Sequence, residues 1–230
     1  MTKNHLKARS APRTWNIARK EQKFTTRPNP GSQKTEHTLP LALVLRAMNV
    51  GTTKKELNHV LRTTNVLVNG KRRWDLRFGV GFMDVIALPE AKQYAVLAMD
   101  DHGRLSVTET TEKLANAKHA QVRTSVMVPG GKLQVALTDG RTVLVDAKEA
   151  KNYPRGASVI VDLTKGAITS VHALSEKTPV IITSGKHRGA RGTVETMDDE
   201  FVSITTPNGS MRTKRVYAFA LTNSAPGGTQ

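Results

Sequence analysis

Two apolar periods divide this chain. Between Leu39 and Leu88 the pattern begins helical: Leu41, Val44, Leu45 and Met48 fall at i, i+3, i+4 and i+7, one apolar face. Pro40 opens that helix where no N–H is needed, and Gly51 follows its end. Thr53-Lys54-Lys55-Glu56 has the form of a capping box and predicts a second helix. Its buried stripe is Leu57, Val60 and Leu61. Its other face carries Lys55, Asn58, His59 and Arg62 at the same helical spacing. Val66-Leu67-Val68, Asn69-Gly70 and Lys71-Arg72-Arg73 then read as a hairpin, since Asn-Gly tolerates the positive φ of a type I′ turn. Phe82 to Leu88 reads as the closing strand.

From Tyr94 onward the period is two. Tyr94–Met99, Leu105–Val107, Val122–Val128, Leu133–Leu137, Thr142–Val145, Val159–Leu163 and Ile168–Leu174 predict short strands, with one short helix at Thr111–Ala117. Turns fall at Asp100 to Gly103, Pro129-Gly130-Gly131, Asp139-Gly140 and Lys165-Gly166. Such strands predict a small antiparallel barrel or sandwich. A last unit starts at Val180. It alternates five short strands with a glycine-rich basic loop, Ser184 to Gly192, and an Asn208-Gly209 turn, and it predicts an SH3-like barrel. Residues 1 to 37 show no apolar period and are broken by Pro12, Pro28, Pro30 and Gly31, so they read as a disordered arm. The expected fold is mainly β with a small α+β domain. Its parts are the arm (1–37), the helix-pair domain (38–90), a central antiparallel β domain (91–174), the barrel (175–223) and a frayed tail (224–230).

Charge sharpens this picture. Lys plus Arg is 35 and Asp plus Glu is 19, a formal charge of +16 with a pI near 10.4. That balance is the footprint of a polyanion binder. The excess is segregated: +7 over residues 1–37, +6 over 38–80, +1 over 81–172 and +2 over 173–230. A charge serving only solubility would be spread evenly. The candidate RNA contacts in the arm are Lys3, His5, Lys7, Arg9, Arg13, Trp15, Arg19, Lys20, Lys23 and Arg27. Here cations would meet phosphate, with Trp15 on a base or in a protein pocket. In the helix pair and hairpin they are Arg46, Lys54, Lys55, Asn58, His59, Arg62, Lys71, Arg72 and Arg73. In the last unit they are Lys186, Arg188, Arg191, Arg212 and Lys214. The loop glycines there have two readings: close approach to a phosphate backbone, or a tight barrel corner.

Three stretches also carry resemblances. The helix pair followed by Val68-Asn69-Gly70-Lys71 resembles the S-four RNA-binding domain, which implies RNA held between the second helix and the hairpin. Val180 to Met197, with its glycine loop, resembles the KOW motif of ribosomal and transcription-elongation proteins. In order, His5-Leu6-Lys7, Ala11-Pro12-Arg13, Trp15, Leu39-Pro40-Leu41, Asn69-Gly70-Lys71 and Gly81 to Ile86 make nearly the whole chain similar to the S-four-e family of archaeal and eukaryotic small-subunit ribosomal proteins. One departure is Phe78-Gly79, where the family usually has Tyr-Pro. The family implies a cytoplasmic ribosomal component that contacts small-subunit rRNA and neighbouring ribosomal proteins, without catalysis or cofactor. The short C-terminus resembles archaeal members.

Other classes are less well served. An RNA-modifying enzyme needs a pocket with a base or nucleophile, and no Ser/His/Asp set, His-Glu-x-x-His or Rossmann loop is present. A non-ribosomal transcription or translation factor would explain the barrel but not the basic arm. No metal site is expected, since Asp100-Asp101 beside Gly103 reads as a turn. Cysteine is absent, which excludes disulfides and fits a reducing compartment. Mean hydropathy is -0.38, and the longest apolar stretch, Leu39 to Leu45, is far short of the ~20 residues of a membrane span. No signal peptide, membrane partner or homo-oligomer is expected.

Overall fold

The computed structural model describes residues 5–198, 200–207 and 209–221, Lys151 by its backbone alone. Asn208 of the last predicted turn and the predicted tail lie outside the described residues. The fold is mainly β, built of several antiparallel sheets. Two compact units divide it. The first runs to Ala98 and resumes over Arg104–Asn116; the second holds Met99–Gly103 and the chain from Ala117.

In the first unit, β1 (Leu6–Lys7) pairs antiparallel with β2 (Phe24–Thr25). Then β3 (Thr38–Pro40) leads into α1 (Leu41–Ala47), α2 (Lys54–Thr63), and the hairpin strands β4 (Leu67–Val68) and β5 (Lys71–Arg72). β6 (Gly79–Gly81), β7 (Val85–Leu88), β8 (Gln93–Met99), β9 (Leu105–Glu109) and α3 (Glu112–Ala115) complete it. β3 pairs with β6, and a five-stranded sheet runs β5-β4-β7-β8-β9. The apolar faces read from spacing are the buried ones: Leu41, Val44 and Leu45 on α1, Leu57 and Leu61 on α2. Each such side chain contributes about 1.5–3 kcal/mol of burial.

Two expectations change here. β8 and β9 were expected in the central domain, but β8 pairs with β7 in register Val85↔Val96 to Leu88↔Gln93, so they extend the first unit's sheet. Phe82–Asp84 was expected in a strand and forms a turn. The Asp84 carboxylate accepts the Gly81 N–H at 2.8 Å, and Gly81 O accepts the Asp84 N–H at 3.0 Å. A local side chain thus offers the backbone an alternative to the ladder. Met83, at φ 60°, is the strained residue of that turn and is buried.

In the second unit the long strand β10 (Ala117–Val128) centres the sheet β12-β11-β10-β13-β14. Its partners are β11 (Lys132–Leu137), β12 (Thr142–Asp146), β13 (Ser158–Asp162) and β14 (Ile168–His172). β13 pairs with the first half of β10 and β11 with the second; between them the β10–β11 register shifts between Val122 and Thr124. Val122, Leu133, Val135, Leu137, Val159 and Val161 form the core of this sheet. β15 (Pro179–Ile182), β16 (Arg191–Met197), β17 (Phe201–Thr206), β18 (Gly209–Lys214) and β19 (Ala218–Ala220) make a half-barrel in order β18-β17-β16-β15-β19. Its core is Val180, Ile182, Val194, Val202, Ile204 and Ala218. Gln121 ties the two layers: its Nε2 donates to Gly156 O at 3.1 Å and to Ala218 O at 2.8 Å.

A buried ion pair fixes the β11–β12 turn. Lys118 is 2% exposed, and its Nζ lies 2.6 Å from Asp139 Oδ2. The other Asp139 oxygen accepts the Arg141 N–H at 3.0 Å. Breaking an isolated buried pair costs about 3–5 kcal/mol, and here Arg141 Nε, 3.5 Å from the same carboxylate, leaves Asp139 a partial partner and holds the cost to the lower end of that range or below. Lys118→Met is therefore expected to destabilise the second unit by about that amount. Adding Asp139→Asn is expected to recover part of the loss. Amide exchange of β10 and β13 measures both; equal protection in Lys118→Met and wild type would contradict it.

The capping box of α2 makes a second prediction. Thr53 Oγ1 accepts the Glu56 N–H at 3.3 Å, while Glu56 Oε2 accepts the N–H groups of Thr52 at 2.8 Å and Thr53 at 3.2 Å. These bonds, Thr52's first, hold the Glu56 carboxyl below the ordinary glutamate range. A depressed folded value means the stabilisation is full above the ordinary range and lost as pH falls through the folded one. The first turn of α2 is expected to lose amide protection on acidification, and Glu56→Gln to remove that dependence. NMR titration of the Thr53–Leu57 amides reads the effect.

Candidate nucleic-acid interface

The hairpin tip is pinned before it is charged. Asn69 and Gly70 take φ of 51° and 76°, as a type I′ turn requires. Asn69 donates its N–H to Val85 O at 2.8 Å, and its Oδ1 accepts the Val85 N–H at 3.0 Å. The turn therefore hangs on β7, and Lys71 stands exposed beside it. On α2, Lys54, Lys55, Asn58, His59 and Arg62 are all exposed. The helix ends where Thr63 and Thr64 hydroxyls donate to His59 O at 2.9 Å and Val60 O at 2.7 Å. Arg72 Nη2 donates to Arg62 O at 3.4 Å, so the hairpin touches the C-terminus of the same helix. The structure brings helix face and hairpin into one place.

Arg72 and Arg73 are half-buried and differ from freely solvated tips. The Arg72 guanidinium lies 3.7 Å from the centre of the Trp74 ring, and Arg73 lies 4.1 Å from that of Phe78. Adjacent residues thus stack on different rings, consistent with strand alternation. Trp74 is 60% exposed and was missed in the sequence reading. Its signal was available: an indole next to three cations and outside both apolar periods. An exposed indole can stack an unpaired base, and a guanidinium stack adds to that surface. Arg46 is drawn inward instead, with Nε donating to Thr52 O at 3.1 Å.

The arm is not a free tail over its described residues. Trp15 was expected on a base or in a protein pocket; it is 2% exposed within its own unit, and its Nε1 donates to Thr35 O at 3.3 Å. A residue so buried cannot stack on a ligand. Arg19 was expected on phosphate, yet its Nη1 donates to Ala11 O at 2.9 Å and its Nη2 to Pro12 O at 2.6 Å. Burial of Ala8, Ala11 and Trp15 supplies the apolar contact that spacing did not reveal. His5 packs edge-on to Phe24 at 5.4 Å, and Lys23 lies over the same ring at 5.5 Å. Lys7, Arg9, Arg13, Lys20 and Arg27 are exposed, while Lys3 lies outside the described residues. Arg13 and Arg19 also line a cleft of about 490 Å³ with Arg104, which the sequence reading did not single out.

In the second unit, Lys186 and Lys214 are exposed and Arg188 is half-buried. Arg191 was expected on RNA, but its Nη2 donates to Met99 O at 3.2 Å and its Nε lies 3.4 Å from Asp101. Arg212 pairs with Asp198 at 2.9 Å and covers the Phe201 ring at 4.8 Å. The loop glycines serve the chain itself. A Cβ on Gly189, at φ 90°, would fall 2.4 Å from Gly103 N, and one on Gly192 would fall 2.3 Å from Thr205 O. Close packing, not an approach to phosphate, requires glycine at those two positions.

Comparison with known proteins agrees with this architecture. The model of ribosomal family S4e matches residues 91–168, and that of the RS4NT domain matches residues 2–35. Small ribosomal subunit protein eS4 of Methanocella arvoryzae is 34% identical over 235 residues, covering 98% of this chain and 97% of that protein. The protein of the same name from Nanoarchaeum equitans is 33% identical over 195 residues, covering 84% and 82%. The crystal structure of the 30S ribosomal protein S4e from Thermoplasma acidophilum aligns with a TM-score of 0.65 at 25% identity, covering 80% of this chain and 94% of that one. Similarity of this extent, running through the arm, the helix pair and both sheets of the second unit, shows that the chain belongs to ribosomal family S4e.

Proposed function

We propose that the protein is a structural component of the small ribosomal subunit that binds and stabilises small-subunit rRNA and supports translation. The observation that carries this reading is near full-length similarity to small-subunit eS4 proteins. The pinned cationic surface of α2 and the hairpin supports it. In this reading Lys54, Lys55, Asn58, His59, Arg62 and Lys71 meet the RNA backbone. Arg72 and Arg73 present their guanidinium groups from fixed stacks, and Trp74 takes an unpaired base. The exposed arm cations, Lys7, Arg9, Arg13, Lys20, Lys23 and Arg27, add contacts from the same unit. Residues 38–90 serve as the S-four-type module and 175–223 as the KOW barrel. The role is non-catalytic, needs no cofactor, and is exercised in the cytoplasm beside neighbouring ribosomal proteins.

Sedimentation tests the assignment. The protein is expected to co-migrate in equal number with small subunits through a high-salt gradient. A free pool with only traces on subunits would favour a non-ribosomal RNA-binding factor. The Trp74 contact has its own test. Base stacking on an aromatic side chain contributes about 1–3 kcal/mol, so Trp74→Ala should weaken rRNA binding roughly 5- to 150-fold while Trp74→Phe retains most of it. Because the only other tryptophan, Trp15, is buried, the emission change on RNA addition reports Trp74. Unchanged affinity in Trp74→Ala would remove that residue from the contact.

A further inference from the structure

Residues 81 to 230 are almost neutral in sum, yet the second unit gathers cations at one place. A cleft of about 730 Å³ is lined by Gln121, Val122, Arg123, Thr138 and Arg155 to Gly156 from the central sheet and its loops. Glu200, Lys214, Arg215 and Val216 line it from the half-barrel. Four cations face one acid. Among the described residues none of the four cations is in an ion pair.

The backbone aims these groups. Arg123 is the extra residue where the β10–β11 register shifts: Val122 pairs with Leu137 and Thr124 with Ala136. A bulge leaves its residue outside the ladder and turns its side chain away from the alternation of the strand. Arg215 approaches Gly156, at φ 88°, where a Cβ would come within 3.8 Å of its Nε. That Nε is buried without a hydrogen-bond partner. Gln121, bonded to Gly156 O and Ala218 O, holds the two walls together.

We infer that this cleft is a second RNA-contact site, in which Arg123, Arg155, Lys214 and Arg215 grip the phosphodiester backbone of the same rRNA. The inference rests on the RNA-binding role proposed above. Guanidinium forks match phosphate oxygens in pairs, and a concave wall of one sign concentrates the field that draws a polyanion in. No base-reading array is present, so the site positions the RNA rather than reading its sequence. Lys214 alone of the four was singled out by sequence, because the cleft joins segments almost a hundred residues apart.

The test uses the full chain and small-subunit rRNA transcribed in vitro, with affinity measured over a range of salt. Each phosphate contact contributes about 0.7–0.9 to the slope of log K against log salt, so Arg123→Gln with Arg155→Gln should flatten it by about 1.4–1.8. Lys55→Ala with Lys71→Ala, on α2 and the hairpin, is the parallel variant. Acetylation of Lys214 should be suppressed when wild-type protein is saturated with RNA. Arg155→Gln alone, at an exposed loop position, covers the case in which the bulge variant does not fold; its slope change should be about half. If the α2 and hairpin variant flattens the slope while the cleft variants do not, and Lys214 stays reactive, the cleft serves another partner such as an acidic protein segment. The inference then falls alone. If wild type shows no salt-dependent rRNA binding, the functional reading falls with it.

Discussion

Seventeen lysines and arginines share the first eighty residues with four acids, and that shortage of carboxylates governs the first unit. Ion pairing cannot settle so many cations. Backbone carbonyls and ring faces do so instead: Arg19 on Ala11 and Pro12, Arg46 on Thr52, Arg77 on Arg27, Arg72 on Trp74, Arg73 on Phe78. These contacts orient a guanidinium without neutralising it. A carboxylate partner would fix the side chain and cancel its field together. A carbonyl or an indole fixes it and leaves the positive potential whole, as a surface meant for phosphate requires.

The second unit holds more acids and uses them differently. Asp139 takes Lys118 and its own turn, Asp198 takes Arg212, and Asp101 takes Arg191. Here charge goes into internal structure, and residues 81–230 sum to only +3 against +13 over the first eighty. The cleft around Arg123 is the exception within that economy. It arises from a register shift, a glycine and a strand end, not from a cluster in the sequence.

Local signals were the readable ones. Thr53 and Glu56 gave the start of α2, and Asn69-Gly70, Asp139-Gly140 and Lys165-Gly166 marked hairpins whose glycines all take positive φ. Those features depend on residues within four positions of each other. Much of what sequence hid was decided beyond that range. Trp15 looks free until Thr35 and Leu105 are placed beside it. Arg19 looks solvated until four carbonyls surround it. Phe82-Met83-Asp84 carries a strand's apolar pattern, but the buried Asp84 carboxylate captures Gly81 and bends the chain. Trp74 was lost for the opposite reason, because an exposed aromatic belongs to no periodic pattern.

The placement of β9 has a consequence for the order in which the protein takes shape during synthesis. Leu105 donates its N–H to Thr14 O at 2.7 Å and bridges Trp15, closing a loop of about ninety residues. Until β9 has left the exit tunnel, the arm lacks its contact with Leu105, although it is translated some ninety residues earlier. Over that interval the exposed cations of the arm are open to any polyanion nearby. The segment best suited to premature capture by RNA is among the last of its unit to be locked in place, so escort by a chaperone would matter most in that interval.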